Sequence, residues 1–182
     1  ADQQQLIGHY SRASEEDILR ALASAHSAQP AWNKLGHNAR ADILDKVADL
    51  MERDCAELIG VIAAEGGRTL GDGVSEVREA VDFCRYYSLQ AKSLQARSLQ
   101  AKSLQARSLQ ANSLQANSLQ AGHLQGTGVF LCISPWNFPL AIFIGQISAA
   151  LAAGNAVIAK PAEATSLIAS RAVELAYSAG VP

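Results

Sequence analysis

Three polar side chains near the carboxyl end of the chain have the chemistry expected of a ligand site. Asn137, in the stretch SPWNFP, carries an amide whose N–H groups could stabilise a developing oxyanion. Lys160 and Glu163, in the stretch KPAE, could hydrogen-bond the hydroxyl groups of a ribose. Each also has a simpler interpretation, Asn137 as a turn residue between two prolines and the charged pair as exposed residues at the end of a strand. Residue type alone favours the simpler interpretation.

The elements around these side chains are predicted to be a strand, a helix, a second strand and a second helix. The apolar run Val129–Ile133 is typical of a parallel strand buried on both faces. Residues 140–151 predict a buried helix, residues 156–159 a second short strand, and Thr165 the N-cap of a helix ending near Ala179. This order favours parallel strands joined by a right-handed crossover. Because ligands bind outside the carboxyl ends of such strands, both polar loops should face one crevice.

Other residues near these loops have less specific signals. The dinucleotide fingerprint G-x-G-x-x-G does not follow the first predicted strand. Trp136 could form a wall of a cofactor pocket or belong to the core. Cys132 lies inside the first strand and is interpreted as a packing residue rather than a catalytic thiol. The three cysteines have no metal-binding spacing, so no metal site is predicted.

The amino-terminal half is predicted to be helical. Ser14 and Asp17 are spaced as a capping box at the start of the first helix, and a helix stop is expected at residues 66–67. Apolar residues then recur at helical spacing, which indicates faces that pack in a core. The predicted core positions are Ile18, Leu19, Leu22, Ala25, Ile43, Leu44, Val47, Leu50, Met51, Cys55, Leu58, Ile59, Ile62, Val77, Ala80, Val81 and Cys84.

A tandem repeat of the form SLQAx interrupts the chain from Ser88 to Gln125, with a leucine at every fifth position. Five residues advance a helix by about 140°, so the leucines form no apolar stripe. The composition nevertheless favours a helix that continues the one ending near Tyr87, with disorder and a β-helical coil as the alternatives. We expect a helical or mobile surface insertion that takes no part in a cofactor site. Its charge of +4 lacks interleaved aromatic residues, which makes nucleic-acid binding a weak interpretation.

The composition of the chain limits which binding partners and which cellular compartment are expected. The 182 residues carry 15 basic and 17 acidic side chains, a net charge of −2, which predicts neither a nucleic-acid nor a membrane partner. The apolar run at residues 140–151 is too short to span a bilayer. No secretion signal is recognised at the start of the chain, and three cysteines fit a reducing cytosol, so a cytoplasmic protein is expected.

Two long stretches resemble a known family. GVFLCISPWNFPLAIF, followed by KPAE after the next strand, is similar to the start of the cofactor domain of NAD(P)-dependent aldehyde dehydrogenases. EGGRTLGDGVSEVREAVDFCRYYS resembles their helical amino-terminal part. Within the superfamily the likeness is greatest to the L-glutamate γ-semialdehyde (1-pyrroline-5-carboxylate) dehydrogenase domain of the proline utilisation A proteins.

The resemblance implies a fold and a set of site residues. It implies an α/β protein: helices over residues 1–87, the repeat insertion over 88–125, and the first half of an NAD-binding domain, a partial Rossmann-like β-α-β-α unit, over 126–182. Asn137 would be the oxyanion-hole amide, and Lys160 and Glu163 would bind the adenosine ribose of NAD. The residues implied to line the cofactor cleft are Ile133, Ser134, Pro135 and Trp136.

The resemblance also implies an activity. Members of this branch oxidise L-glutamate γ-semialdehyde to L-glutamate in proline catabolism, as homo-oligomers when full length. In the family the nucleophilic Cys and the general-base Glu lie downstream of KPAE, so residues 1–182 alone are expected to be inactive. The alternative is a non-catalytic truncated protein in which the repeat serves as a scaffold or interaction segment.

Overall fold

The computed structural model describes residues 6–110 and 125–182. Four helices come first, and a parallel two-stranded sheet with two further helices and a short 3₁₀ turn follows. The elements are α1 (Glu15–Lys34), α2 (His37–Arg53), α3 (Cys55–Gly66), α4 (Leu70–Gln110), β1 (Val129–Ile133), α5 (Ala141–Ala152), β2 (Ala156–Lys160), the 3₁₀ turn Glu163–Thr165 and α6 (Ser166–Ala179).

Several helices begin or end at the residues that the sequence predicts, because capping residues and glycines are present there. The backbone N–H of Ser14 donates to Asp17 Oδ2 at 2.9 Å, while the Asp17 N–H donates to Ser14 Oγ at 3.2 Å, so the predicted capping box is confirmed. Helix α3 ends at Gly67, whose φ of 62° is left-handed, and α6 ends at Gly180 with a φ of 112°. Glycine is favoured at both positions because a Cβ is strained in this conformation.

The core lies between the helices of the amino-terminal half and helices α5 and α6. The predicted apolar faces of α2, α3 and α4 are buried there, with Ile43, Leu50, Cys55 and Ile59 partly exposed at its border. The prediction for α1 is wrong in its first half, because Ile18, Leu19 and Leu22 are exposed. Helix α1 is anchored near its carboxyl end, where buried Trp32 donates its indole N–H to Leu151 O at 3.0 Å.

The sheet has the predicted parallel topology. Val129 pairs with Ala156, and the register continues to Ile133 opposite Lys160. The prediction that β1 is buried on both faces is wrong: Leu131 is 63% exposed and Ile133 58%, whereas Cys132 is buried. Leu131 and Ile133 point to the same face of the strand, and no described element covers that face.

Buried Arg40, on α2, ties the ends of two helices together. Its guanidinium donates to Asn33 O at 2.8 Å and to Trp32 O at 3.4 Å, both near the carboxyl end of α1. Its Nε–H donates to Ala152 O, the last residue of α5, at 3.2 Å. Arg40 therefore supplies side-chain donors to carbonyl oxygens in the last turn of each helix, in addition to the N–H groups of Leu35 and Gly36 that reach Trp32 O and Asn33 O.

The first units of the repeat extend α4 without a break, so residues 88–110 are helical. Ser88 and Ala91 are buried, and Lys92 Nζ lies 2.8 Å from Asp45 Oδ2 on α2. Leu89 and Leu99 are exposed, as expected of leucines that share no helical face. Residues 111–124, which hold the later units, lie outside the described part of the chain, and the insertion itself stays a prediction. Over residues 6–110 and 125–182, no helix is both long and apolar enough to cross a membrane.

Candidate functional site

The two polar loops leave the sheet side by side. Ile133, the last residue of β1, is paired with Lys160, the last residue of β2. The backbone N–H of Ser134 donates to Lys160 O at 3.0 Å, so the first residue of one loop is bonded to the start of the other. The SPWNFP and KPAE loops therefore begin at the same edge, as the sequence predicts.

Ser134 fastens the start of the first loop to α5. Its side chain is buried, and its hydroxyl donates to Gln146 Oε1 at 3.3 Å. The amide of Gln146 in turn donates to Ile133 O at 3.3 Å. The Ser134 side chain is thus engaged inside the fold, whereas its neighbours Ile133 and Pro135 are exposed.

The tip of the first loop is open to solvent. Trp136 is 63% exposed, so it is not a core residue, and Asn137 is also exposed. Among the described residues the Asn137 side chain has no hydrogen-bond partner, which leaves its amide N–H groups available. Phe138 has a φ of 53°, a left-handed conformation that is uncommon for a residue other than glycine. Such strain is often found at functional loops and has to be held in place by surrounding contacts.

Two residues from the start of α4 and the loop before it provide such contacts. The guanidinium carbon of Arg68 lies 4.6 Å from the centre of the Phe138 ring, in a cation–π contact. Glu76, only 1% exposed, accepts a hydrogen bond from the Leu140 N–H at 2.6 Å through its Oε1. Burial raises the pKa of Glu76, while its hydrogen bond from the Leu140 amide opposes that rise.

The second loop presents its two charges separately. Lys160 is exposed and donates to Pro161 O at 3.1 Å. Glu163 accepts from Arg12 Nη2 at 3.1 Å, and both side chains are mostly exposed. Such an ion pair contributes little to stability, because solvent screens it. Glu163 is therefore able to exchange Arg12 for a hydroxyl-bearing ligand at small cost.

Helix α6, which follows this loop, begins differently from the sequence prediction. Thr165 occupies the N-cap position, but its side chain makes no capping hydrogen bond. Glu65, at the end of α3, does so instead: its two carboxylate oxygens accept from the Leu167 N–H at 2.7 Å and the Ile168 N–H at 3.0 Å. A distant carboxylate thus satisfies the first-turn amides of α6.

The cysteines fit the interpretation as packing residues. Burial raises the pKa of the Cys132 thiol, and burial raises the pKa of Cys84 to about 12. A thiol with a raised pKa is a poor nucleophile at neutral pH. Within the described residues there is no group of three or more His, Cys, Asp or Glu side chains arranged to hold a metal ion.

Sequence reasoning placed the loops correctly but missed the residues that hold them, namely Arg12, Glu65, Arg68 and Glu76. A signal was present for Glu76, which stands one residue before Val77 and four before Ala80 on the buried face of α4. A charged residue on an apolar helical face indicates a buried polar contact. The sequence alone offers no way to tell which distant amide it contacts.

Comparison with known proteins gives a consistent family match. The model of the aldehyde dehydrogenase family matches residues 1–182. The bifunctional protein PutA of Klebsiella aerogenes is 40% identical over 182 residues, which is 100% of this chain and 12% of that protein. The 1-pyrroline-5-carboxylate dehydrogenase of Staphylococcus epidermidis is 35% identical over 182 residues, again 100% of this chain, and 33% of that protein. The chain thus spans well under half the length of these relatives.

Solved structures agree with the sequence matches. A variant of proline utilization A from Bradyrhizobium japonicum superposes with a TM-score of 0.76 at 40% identity, over 95% of this chain and 17% of that one. The 1-pyrroline-5-carboxylate dehydrogenase from Thermus with bound NAD gives a TM-score of 0.74 at 29% identity, over 94% of this chain and 31% of that one.

Proposed function

Because the chain belongs to the aldehyde dehydrogenase family, we propose that its full-length gene product oxidises L-glutamate γ-semialdehyde to L-glutamate with NAD as the hydride acceptor. The observation that carries the proposal is the exposed Asn137 amide, held on a loop that starts beside Lys160 at one edge of a parallel sheet. The relatives named PutA and 1-pyrroline-5-carboxylate dehydrogenase support the choice of substrate.

In this proposal Asn137 acts on the aldehyde oxygen. Attack of a thiol on an aldehyde converts the carbonyl oxygen into an oxyanion, and amide N–H donors directed at that oxygen lower the barrier. The nucleophilic Cys and the general-base Glu are expected outside residues 1–182. The contribution of this chain is then to hold one oxyanion donor and to bind part of the cofactor.

The residues at the strand ends fit NAD. The dinucleotide has flat rings and ribose hydroxyls, and the two strand ends and their loops carry the exposed side chains of Ile133 and Trp136 and the polar groups of Lys160 and Glu163. We assign Lys160 and Glu163 to the adenosine ribose, and Ile133, Ser134, Pro135 and Trp136 to the wall of the cleft. When bound, NAD supplies the acceptor for the hydride that leaves the substrate carbon.

The domain division belongs to the same proposal. We place a helical part at residues 1–87, the repeat insertion at 88–125 and the first half of a Rossmann-like NAD-binding domain at 126–182. The parallel pairing of β1 and β2 supports the last assignment. Helix α4 crosses the first boundary without a break, so the repeat would extend the helical part. We further propose a cytoplasmic homo-oligomer.

The proposal is tested by activity. Purified full-length gene product, supplied with glutamate semialdehyde and NAD, is expected to form NADH, which is followed by its absorbance. The variant Cys132→Ser should retain this activity, because Cys132 is buried in a strand and its thiol is assigned no chemistry. Formation of no NADH above an enzyme-free blank would contradict the function and favour a non-catalytic protein.

Replacing Lys160 or Glu163 by alanine is expected to raise the KM for NAD and to leave kcat nearly unchanged. Each variant loses hydrogen bonds to a ribose, which contribute about 1–3 kcal/mol apiece when one partner is charged. Steady-state kinetics with NAD as the varied substrate measures the effect. Lys46→Ala, which removes an exposed lysine on α2, is the matched control.

The variant Arg12→Ala shows whether Glu163 affects the KM for NAD by binding a ribose or through its ion pair with Arg12. It removes the partner of Glu163 but not Glu163 itself, so its KM for NAD should equal or fall below that of the parent. If Arg12→Ala raised the KM as much as Glu163→Ala does, the ion pair rather than a ribose contact would explain the Glu163 result.

A further inference from the structure

One short segment contacts the elements that follow both strands of the sheet. Glu65 lies near the end of α3 and Glu76 lies in the second turn of α4, with the connection between the two helices joining them. Glu65 accepts hydrogen bonds from the first turn of α6, and Glu76 accepts one from Leu140, the N-cap residue of α5. The same segment carries Arg68, whose guanidinium lies over the Phe138 ring.

These contacts replace the caps that α5 and α6 lack. Neither Leu140 nor Thr165, the N-cap residues of the two helices, makes a side-chain capping hydrogen bond. The first amides of a helix have no partner within the helix and carry partial positive charge, so a carboxylate is a strong acceptor there. Because Leu140 and Ile168 are buried, their amides have no access to bulk water as a substitute.

The first loop is held at three points along its length. Asn137 stands between Trp136 and the strained Phe138, and Leu140 follows three residues after Asn137. The loop is therefore fixed at its start by the bond from Ser134 to Lys160 O, at its strained residue by Arg68, and at its end by Glu76. Only the tip, with Trp136 and Asn137, is left without such contacts among the described residues.

We propose that Glu76 is a positioning residue for the Asn137 amide, supported by Arg68, and that Glu65 plays the corresponding part for the loop of Lys160 and Glu163. The effect of these residues on turnover rests on the proposed function of the two loops. Their effect on the loops themselves does not, because it follows from hydrogen bonds within the fold. The two carboxylates are therefore expected to act on different kinetic parameters.

Hydrogen exchange of the full-length protein tests the contacts without any assay of activity. In Glu76→Ala, the amide of Leu140 should exchange about tenfold faster or more, since it loses its carboxylate acceptor. The amides of Leu167 and Ile168 should be unchanged in that variant. Glu65→Ala should give the reverse pattern. If either variant accelerated hydrogen exchange equally at the start of α5 and at the start of α6, the proposal would be overturned, because the fold as a whole would have loosened.

Kinetics then tests the consequence for the loops. Glu76→Ala should lower kcat about tenfold with the KM for NAD within about twofold of the parent, and Glu65→Ala should mainly raise the KM for NAD. Glu76→Gln, which keeps an oxygen acceptor at the same position, should restore most of kcat. If Glu76→Ala does not fold, Glu76→Asp serves in its place, because the shorter side chain keeps the charge but does not reach Leu140.

A double variant identifies the residue through which Glu76 acts. If Glu76 works by positioning Asn137, then Glu76→Ala should change kcat less than about twofold in an Asn137→Ala background. Full additivity of the two effects would overturn the proposal. An inactive parent enzyme would contradict the proposed function alone, and the exchange pattern would still decide whether the carboxylates hold the loops.

Discussion

Replacing Asn137 by alanine is expected to lower kcat roughly 100- to 1,000-fold and to leave the affinity for NAD nearly unchanged. Loss of one oxyanion donor costs roughly 3–4 kcal/mol at the transition state. The donor is stabilising only when negative charge develops on the substrate oxygen, so the loss falls on turnover rather than on cofactor binding. Single-turnover kinetics of NADH formation, together with calorimetric titration of NAD, measures the two quantities separately.

Asn137→Asp is the matched variant for this experiment. It keeps the shape of the side chain but replaces the amide donors by carboxylate oxygens, which repel an oxyanion. We expect it to be at least as slow as the alanine variant. Unchanged turnover in both variants, under conditions where the chemical step limits the rate, would remove Asn137 from the oxyanion role and return it to the interpretation as a turn residue.

The elements that sequence analysis predicted correctly are those defined by local signals. The faces of α2 and α4 repeat at helical spacing, and each is buried as expected. Ser14 and Asp17 are three residues apart, so their capping box is a local feature. The parallel order of β1 and β2 follows from the helix between them. These features need no knowledge of which distant segments pack together.

The predictions that failed depended on distant neighbours. An apolar stripe does not show whether another element covers it, and the stripe of α1 is exposed from Ile18 to Leu22. The same applies to β1, whose Leu131 and Ile133 face no described element. The Thr165 side chain has the chemistry of a cap, yet a carboxylate from α3 takes that place.

For the candidate site, too, sequence analysis predicted the local features but not the contacts between distant residues. Its two loops could be placed at one edge from strand order alone, and the resemblance supplied roles for Asn137, Lys160 and Glu163 that stay predictions. The residues that hold the first loop could not be assigned, because Glu76 contacts an amide 64 residues away in the chain. Arg40 contacts a carbonyl 112 residues away, and its place four residues before Leu44 on the buried face of α2 does not show which carbonyl that is.

The largest effect on stability is expected at Arg40. Arg40→Met keeps most of the side-chain volume but removes the donors to Trp32 O, Asn33 O and Ala152 O. Since Arg40 is only 1% exposed, these oxygens gain no water in exchange. Burial lowers the pKa of Arg40, which reflects the cost of desolvating its guanidinium. We expect the free energy of unfolding to fall by about 1–3 kcal/mol, the cost of leaving a buried acceptor without its donor.

Urea denaturation of the parent and variant proteins measures this difference, and Arg20→Met is the matched control. Arg20 is also an arginine on a helix, but it is mostly exposed, and its ion pairs within the described part of the chain are with Glu16 and Asp17 on its own helix. Its removal should change the free energy of unfolding by about 0.5 kcal/mol or less. Both variants lose one positive charge, so the difference between their stabilities reports the effect of burying the arginine. If Arg40→Met were as stable as Arg20→Met, the carbonyl oxygens at the ends of α1 and α5 would have found other donors, and Arg40 would not be what joins these helices.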